Sequence, residues 1–299
     1  MNSISWRGVY PAATTQFNAD SSIDFEATQG VLDNLIKDGV HGLIVLGTCG
    51  ENNSLEADEK RAVLKAAVDV VAGRVPVVVG VSEMTTDRAA RFGKDAEAIG
   101  ADALMALPAM VYVPTELELE HHFRTVAAAT NLPIMLYNNP PAYRVSITTS
   151  VLQRLTDVPN IVAVKESAPD TRRFTDLKNA FGDRYILMAG LDDVALEGLM
   201  LGAHGWVSGL TSAFPQESVA LVAAIDKGDM AEALRIYRWF MPLLHLDAEH
   251  DLVQSIKLAE QIMGRGSERV RAPRLPLDGA RRAQVTAMVE KAAATRPVG

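Results

Sequence analysis

Gly39-Val40-His41-Gly42-Leu43-Ile44-Val45-Leu46 joins two kinds of local order within eight residues. Upstream, Val31, Leu32, Leu35 and Ile36 make one apolar stripe of period 3.6 in Asp24–Asp38, and Gly39 supplies the left-handed conformation that stops a helix. Downstream, Leu43 to Leu46 is a continuous apolar run, the pattern of a strand covered on both faces. The same joint recurs at Gly100-Ala101-Asp102-Ala103 and at Gly202-Ala203-His204-Gly205, and Val77-Val78-Val79 repeats the apolar run. Working outward, strands are predicted near Gly8–Thr14, Gly42–Leu46, Pro76–Val81, Ala103–Leu107, Pro133–Tyr137, Ile161–Lys165, Tyr185–Ala189 and Trp206–Ser208. Eight strands alternating with helices predict an α/β fold, a (β/α)8 TIM barrel over residues 1–225. A doubly wound sheet would carry a Gly-rich fingerprint after its first strand, and Tyr10-Pro11-Ala12-Ala13 has none. Asp229–Leu244, Asp251–Met263 and Gly279–Ala294 read as a C-terminal helical extension, residues 226–299, packed on the barrel or on a neighbouring subunit.

Composition narrows the function. The chain of 299 residues carries 29 Lys and Arg against 37 Asp and Glu, a net charge of −8, so a nucleic-acid partner is not expected. Its single cysteine, Cys49, excludes an intrachain disulfide and a multi-thiolate zinc site. MNSISWRGVYP lacks a signal-peptide pattern, and no apolar run approaches the roughly 18 residues that span a bilayer, so a cytoplasmic protein without a membrane partner is expected. The histidines do not read as a metal set: His245 and His250 lie five apart, and His121 and His122 point to different faces of a helix. Asp192 and Asp193 follow strand seven, where a barrel would hold a phosphate, so phosphorylated substrates are disfavoured; the pair reads as an N-cap with first-turn charge.

In a barrel, chemistry gathers at the carboxyl ends of the strands. Those positions hold Thr48, Cys49, Glu51 and Asn52; Tyr137 and Asn138; Lys165 and Glu166; Asp192 and Asp193; and Ser208. Lys165 ends the run Ile161-Val162-Ala163-Val164. An ammonium there loses hydration, which favours the neutral amine that attacks a carbonyl and forms an imine. The plainer reading is a lysine snorkelling outward or paired with Glu166. Tyr137 ends the neighbouring strand, within reach of atoms bonded to the Lys165 nitrogen, and a hydroxyl such as Thr48 can pass its proton on; the plainer reading is a core tyrosine with a solvent-facing hydroxyl. The backbone of Gly47-Thr48-Cys49-Gly50-Glu51 offers N–H groups to a carboxylate, or is simply a strand-to-helix turn.

Gly47-Thr48-Cys49-Gly50-Glu51, Tyr137-Asn138-Asn139-Pro140 and Val164-Lys165-Glu166-Ser167, in this order and spacing, resemble the dihydrodipicolinate synthase and N-acetylneuraminate lyase family. Gly8-Val9-Tyr10-Pro11-Ala12 and Gly202-Ala203-His204-Gly205 extend the likeness over roughly residues 5 to 295. The resemblance implies a metal-free class I lyase without a cofactor, a homotetramer or homodimer, in which Lys165 forms a Schiff base to a 2-oxo acid. It implies Tyr137 as proton carrier and Thr48 as carboxylate holder and relay member.

The departures bear on substrate. The synthases of the family carry a second Thr where this chain has Cys49, which reads as a space-filling residue. They place an Arg five residues after the motif Tyr, where this chain has Ala142, the nearest guanidinium being Arg144. Their relay Tyr after strand four, supplied across a subunit interface, falls near Met110, with Tyr112 offset. Gly50-Glu51-Asn52, Tyr137-Asn138-Asn139-Pro140-Pro141 and Trp239-Phe240-Met241-Pro242-Leu243-Leu244-His245-Leu246 resemble instead the 1-pyrroline-4-hydroxy-2-carboxylate deaminases, whose product is 2,5-dioxopentanoate. On that resemblance Lys165 opens the cyclic imine, Tyr137 helps to take the C3 proton and the 4-hydroxyl leaves as water. Other activities open to this pattern are 4-hydroxy-tetrahydrodipicolinate synthesis from pyruvate and aspartate semialdehyde, and 2-keto-3-deoxy sugar acid cleavage or dehydration. A non-catalytic oxo-acid-binding barrel is the reading from a different class. Candidate substrate contacts are Cys49, Gly50, Asn52, Ser208, Gly209 and Arg144, with Met110 and Tyr112 beside them.

Overall fold

The computed structural model describes residues 4–109 and 111–298, so the expectation at Met110 lies outside the described residues. Eight strands, β1 (Gly8–Pro11), β2 (Leu43–Val45), β3 (Val77–Val81), β4 (Ala103–Ala106), β5 (Ile134–Asn138), β6 (Ile161–Glu166), β7 (Ile186–Ala189) and β8 (Gly205–Ser208), alternate with helices. All neighbours pair in parallel, and β1 pairs with β8. The remaining seam between β1 and β2 is bridged at Ala12 and Ile44, where Ala13 N–H donates to Ile44 O at 2.9 Å. The fold is a (β/α)8 TIM barrel. Gly39, Gly100 and Gly202, the three repeated joints, all adopt positive φ (89°, 107° and 105°), which any side chain would resist.

Three strand ends differ from the sequence reading for reasons that shape the site. The first strand stops at Pro11 rather than Thr14, because Thr14 Oγ1 turns to donate to Glu260 (2.8 Å to Oε2) in the C-terminal extension. β5 and β6 each run one residue further than expected, since Asn138 and Glu166 face each other across the pair and Asn138 Nδ2 donates to Glu166 Oε1 at 2.7 Å. The extension, built on helices Met230–Leu244, Leu252–Ile262 and Gly279–Ala294, shares the barrel's hydrophobic core through Phe240, Ile256 and Val285. No helix among the described residues is long and apolar enough to cross a membrane.

Candidate active site

Register places the reactive pair. Tyr137 and Lys165 are Cα partners on β5 and β6, so their side chains leave the sheet on the same face, toward the barrel axis, and those of Asn138 and Glu166 leave on the other. Lys165 Nζ lies 3.9 Å from the centroid of the Tyr137 ring. Lys165 is only 5% exposed, and burial lowers its affinity for a proton, with Asp247 opposing that effect from across the cavity. The alternative pairing with Glu166 is not formed: Glu166 accepts from Arg173 Nε at 2.7 Å, from Asn138 and from Ala168 N–H. Gly190, at the end of β7, makes room for the lysine, since a methyl group there would lie 2.6 Å from Lys165 Cγ.

The cavity is lined by Thr48, Cys49, Met105, Tyr137, Asn139, Ala142, Lys165, Gly190, Gly209 and Asp247, among others. Thr48, Cys49 and Gly209 of the expected contacts therefore reach it. Gly50, Asn52, Ser208 and Arg144 do not, and each has another place. Gly50 packs on Leu46, whose backbone N would be 2.8 Å from any methyl at 50. Asn52 donates to Leu46 O and Gly80 O (3.0 and 3.1 Å), pinning Leu46 at a positive φ of 56° where β2 ends. Ser208 Oγ donates to Asp192 Oδ2 at 3.1 Å. Arg144 is exposed at the end of the one-turn helix Pro140–Tyr143 and points no guanidinium into the cavity.

Asp192 corrects a further expectation. It caps no helix; its buried carboxylate accepts from Trp206 Nε1, Ser208 Oγ and Leu210 N–H, tying β7 to β8. Asp193 instead pairs with His245 Nδ1 at 3.0 Å.

Around Thr48 the loop folds inward on itself. Glu51 N–H donates to Thr48 O and Asn52 N–H to Gly47 O, while the N–H groups of Thr48 and Cys49 meet no acceptor among the described residues. That pair of amides is suited to a carboxylate. Glu51 of the same motif points away, forming a fully buried ion pair with Lys257 at 2.9 Å. The Cys49 thiol is buried, which pushes its pKa far up and leaves it unreactive.

Two residues of the site were missed by the sequence reading. The expected Thr48–Tyr137 contact is absent: the Thr48 hydroxyl is hydrogen-bonded to Tyr143 OH, and Tyr137 OH accepts from Asn139 Nδ2 at 2.9 Å. The two phenol rings stand perpendicular, 5.6 Å between centroids. Burial raises the pKa of both. Tyr143 follows Ala142 on a helix opened by Pro140-Pro141, so the Pro-Pro start was the available signal. Asp247 arrives from the turn His245–Ala248 of the extension, 82 positions from Lys165 in the chain, with no motif to mark it.

Residues 5–292 match the Dihydrodipicolinate synthetase family. A 4-hydroxy-tetrahydrodipicolinate synthase of Nitrobacter hamburgensis is 34% identical over 91% of this chain and 92% of its own. A prophage protein of E. coli K12, YagE, belonging to the dihydrodipicolinic acid synthase family and solved in complex with pyruvate, superposes with a TM-score of 0.91 at 29% identity, covering 96% of this chain and 99% of that one. A dihydrodipicolinate synthase variant described as monomeric superposes with a TM-score of 0.89 at 26% identity, over 97% of each chain. The chain belongs to the dihydrodipicolinate synthetase family and is an enzyme of that family of Schiff-base lyases.

Proposed function

We propose that Lys165 forms a Schiff base with a 2-oxo acid or its cyclic imine, and that the reaction is the ring-opening deamination of 1-pyrroline-4-hydroxy-2-carboxylate to 2,5-dioxopentanoate. The observation that carries the choice of substrate is the cavity wall at Ala142. It holds no guanidinium among the described residues, Arg144 faces solvent, and the second carboxylate of a condensation partner has nothing cationic to meet besides Lys165 itself. The substrate's own carboxylate is received by the free Thr48 and Cys49 amides. The neutral Lys165 amine adds to C2, and the ring nitrogen leaves as the amine on C5. Tyr137 carries protons at that nitrogen, resupplied through Tyr143 and Thr48. Loss of the C3 proton into the iminium and departure of the 4-hydroxyl as water follow, leaving a C3–C4 double bond. A proton then moves from C5 to C3, which turns the C5 amine into an enamine and then an imine. Hydrolysis of the two imines yields ammonia and the product, with one water consumed net. In this reading the lysine adduct does the work of a cofactor, and the enzyme acts in the cytoplasm.

A second reading, 4-hydroxy-tetrahydrodipicolinate synthesis, is favoured by the names of the curated relatives. Ammonia release from the hydroxylated pyrroline, measured beside pyruvate plus aspartate semialdehyde and 2-keto-3-deoxy sugar acids, separates the readings. Turnover of the pyrroline alone supports deamination; turnover of pyruvate plus aspartate semialdehyde alone overturns it.

The proposal includes a homo-oligomer. Val111, Tyr112, Val113 and Leu117 stand more than half exposed after β4, a cluster of apolar side chains of the kind a partner subunit covers. Light scattering is expected to give a multiple of the 32.2 kDa chain mass, and Tyr112→Asp to lower it.

A further inference from the structure

Removing a proton from C3 needs a group that is in its basic form beside the lysine adduct. The described lining of the cavity offers four titratable side chains: Lys165, Tyr137, Cys49 and Asp247. Lys165 is spent in the adduct. Burial keeps the Tyr137 phenol and the Cys49 thiol protonated far above neutral pH. Asp247 remains. Its position is fixed from three sides: Asp192 N–H donates to Oδ2 at 3.3 Å, His245 on the same turn pairs with Asp193, and Gly209 lies so close that a methyl group there would be 2.7 Å from Oδ1. Neither Asp247 oxygen forms an ion pair among the described residues, so the carboxylate keeps lone pairs free for substrate.

We propose that Asp247, supplied by the C-terminal extension, is the base that takes the C3 proton of the Lys165 adduct and hands it to the group departing from C4. The C3–H pair becomes the C2–C3 enamine bond as the proton moves to Asp247. The enamine pair then forms the C3–C4 bond as the C4–O bond breaks, and the proton leaves on that oxygen as water. No oxidant or further co-reactant enters. The inference rests on the Schiff-base reading above and says which residue makes it productive.

Burial raises the Asp247 pKa to about 6, with Lys165 pulling it down and Asp193 pushing it up. The groups facing it are Lys165 from β6, Tyr137 from β5, Cys49 after β2, Asp192 and Asp193 after β7, and His245 on its own turn. The reaction uses the ionised form, so kcat/KM rises with pH through about 6.

Hydrogen exchange tests this without the pyrroline. In deuterium oxide the enzyme is expected to exchange the methyl protons of pyruvate, followed by proton NMR. Asp247→Asn keeps an acceptor for Asp192 N–H, so it is expected to form the borohydride-trapped pyruvate adduct as the unaltered enzyme does. Its exchange should fall on the order of 100-fold, with the limb near pH 6 gone. Formate should restore exchange to Asp247→Ala. Exchange by Asp247→Asn at the unaltered rate, with the adduct intact, overturns the role of Asp247 alone. An unaltered enzyme that forms no adduct overturns the Schiff-base reading and this inference with it.

Discussion

Lys165 and its neighbours show how much chemistry one strand end can specify. The lysine stem leaves an apolar strand, Gly190 clears its path, and the ring of Tyr137 lies against its nitrogen. In that dry setting the amine gives up its proton more readily than in water, which is what an attacking amine requires. The Thr48–Tyr143 hydrogen bond adds a second phenol from the same chain. Tyr143→Phe removes a hydroxyl and little volume. It is expected to lower kcat on the order of 100-fold with KM nearly unchanged, in steady-state kinetics. An unchanged kcat would confine Tyr143 to packing. Lys165 and Tyr137 were legible in the sequence because each ends a run of strand residues whose register brings them together. Tyr143 was hidden by a one-turn helix that brings its hydroxyl onto Thr48 beside the cavity wall at Ala142. Asp247 was hidden by distance along the chain.

At the scale of elements, the loop after β2 is held from below by the C-terminal extension. Glu51 has a positive φ of 53° and a carboxylate bound by Lys257 Nζ and Arg271 N–H; Lys257 also donates to Thr15 O at 2.8 Å. The motif glutamate is thus a clamp that fixes the two amides above it. Removing one member strands the other as a buried charge. Glu51→Gln is expected to cost about 3–5 kcal/mol in urea unfolding, and Glu51→Gln with Lys257→Met to recover most of it. A loss within about 0.5 kcal/mol would mean that water reaches the pair. The strands themselves were readable to within a few residues from apolar runs and Gly joints. Their ends were not, because long-range side-chain pairs such as Asn138–Glu166 and Thr14–Glu260 decide them.

Across the whole molecule, barrel and extension share one core, and the contacts joining them include buried acids. Glu260 accepts from Thr14 and Gln16, and burial raises its pKa to about 7. Asp247 is raised as well. A carboxyl raised above its unfolded value near 4.3 binds more protons folded than unfolded in the interval between, so stability falls as pH climbs from about 4 to about 7. Glu260→Gln should flatten that decline in urea midpoints taken at about pH 5 and about pH 8. An unchanged slope would place the responsible protons elsewhere. The (β/α)8 architecture was legible in the alternation of patterns. That the last 74 residues carry a catalytic carboxylate and a buried lysine clamp was not, since helical periodicity reports which face is covered and not what covers it.

The central claim is a covalent bond at one nitrogen. Incubation with pyruvate and sodium borohydride, followed by peptide mass spectrometry, is expected to add one reduced pyruvate to the peptide holding Lys165, and none in Lys165→Ala. Modification at another lysine with Lys165 untouched, or no adduct with any 2-oxo acid, would contradict the account.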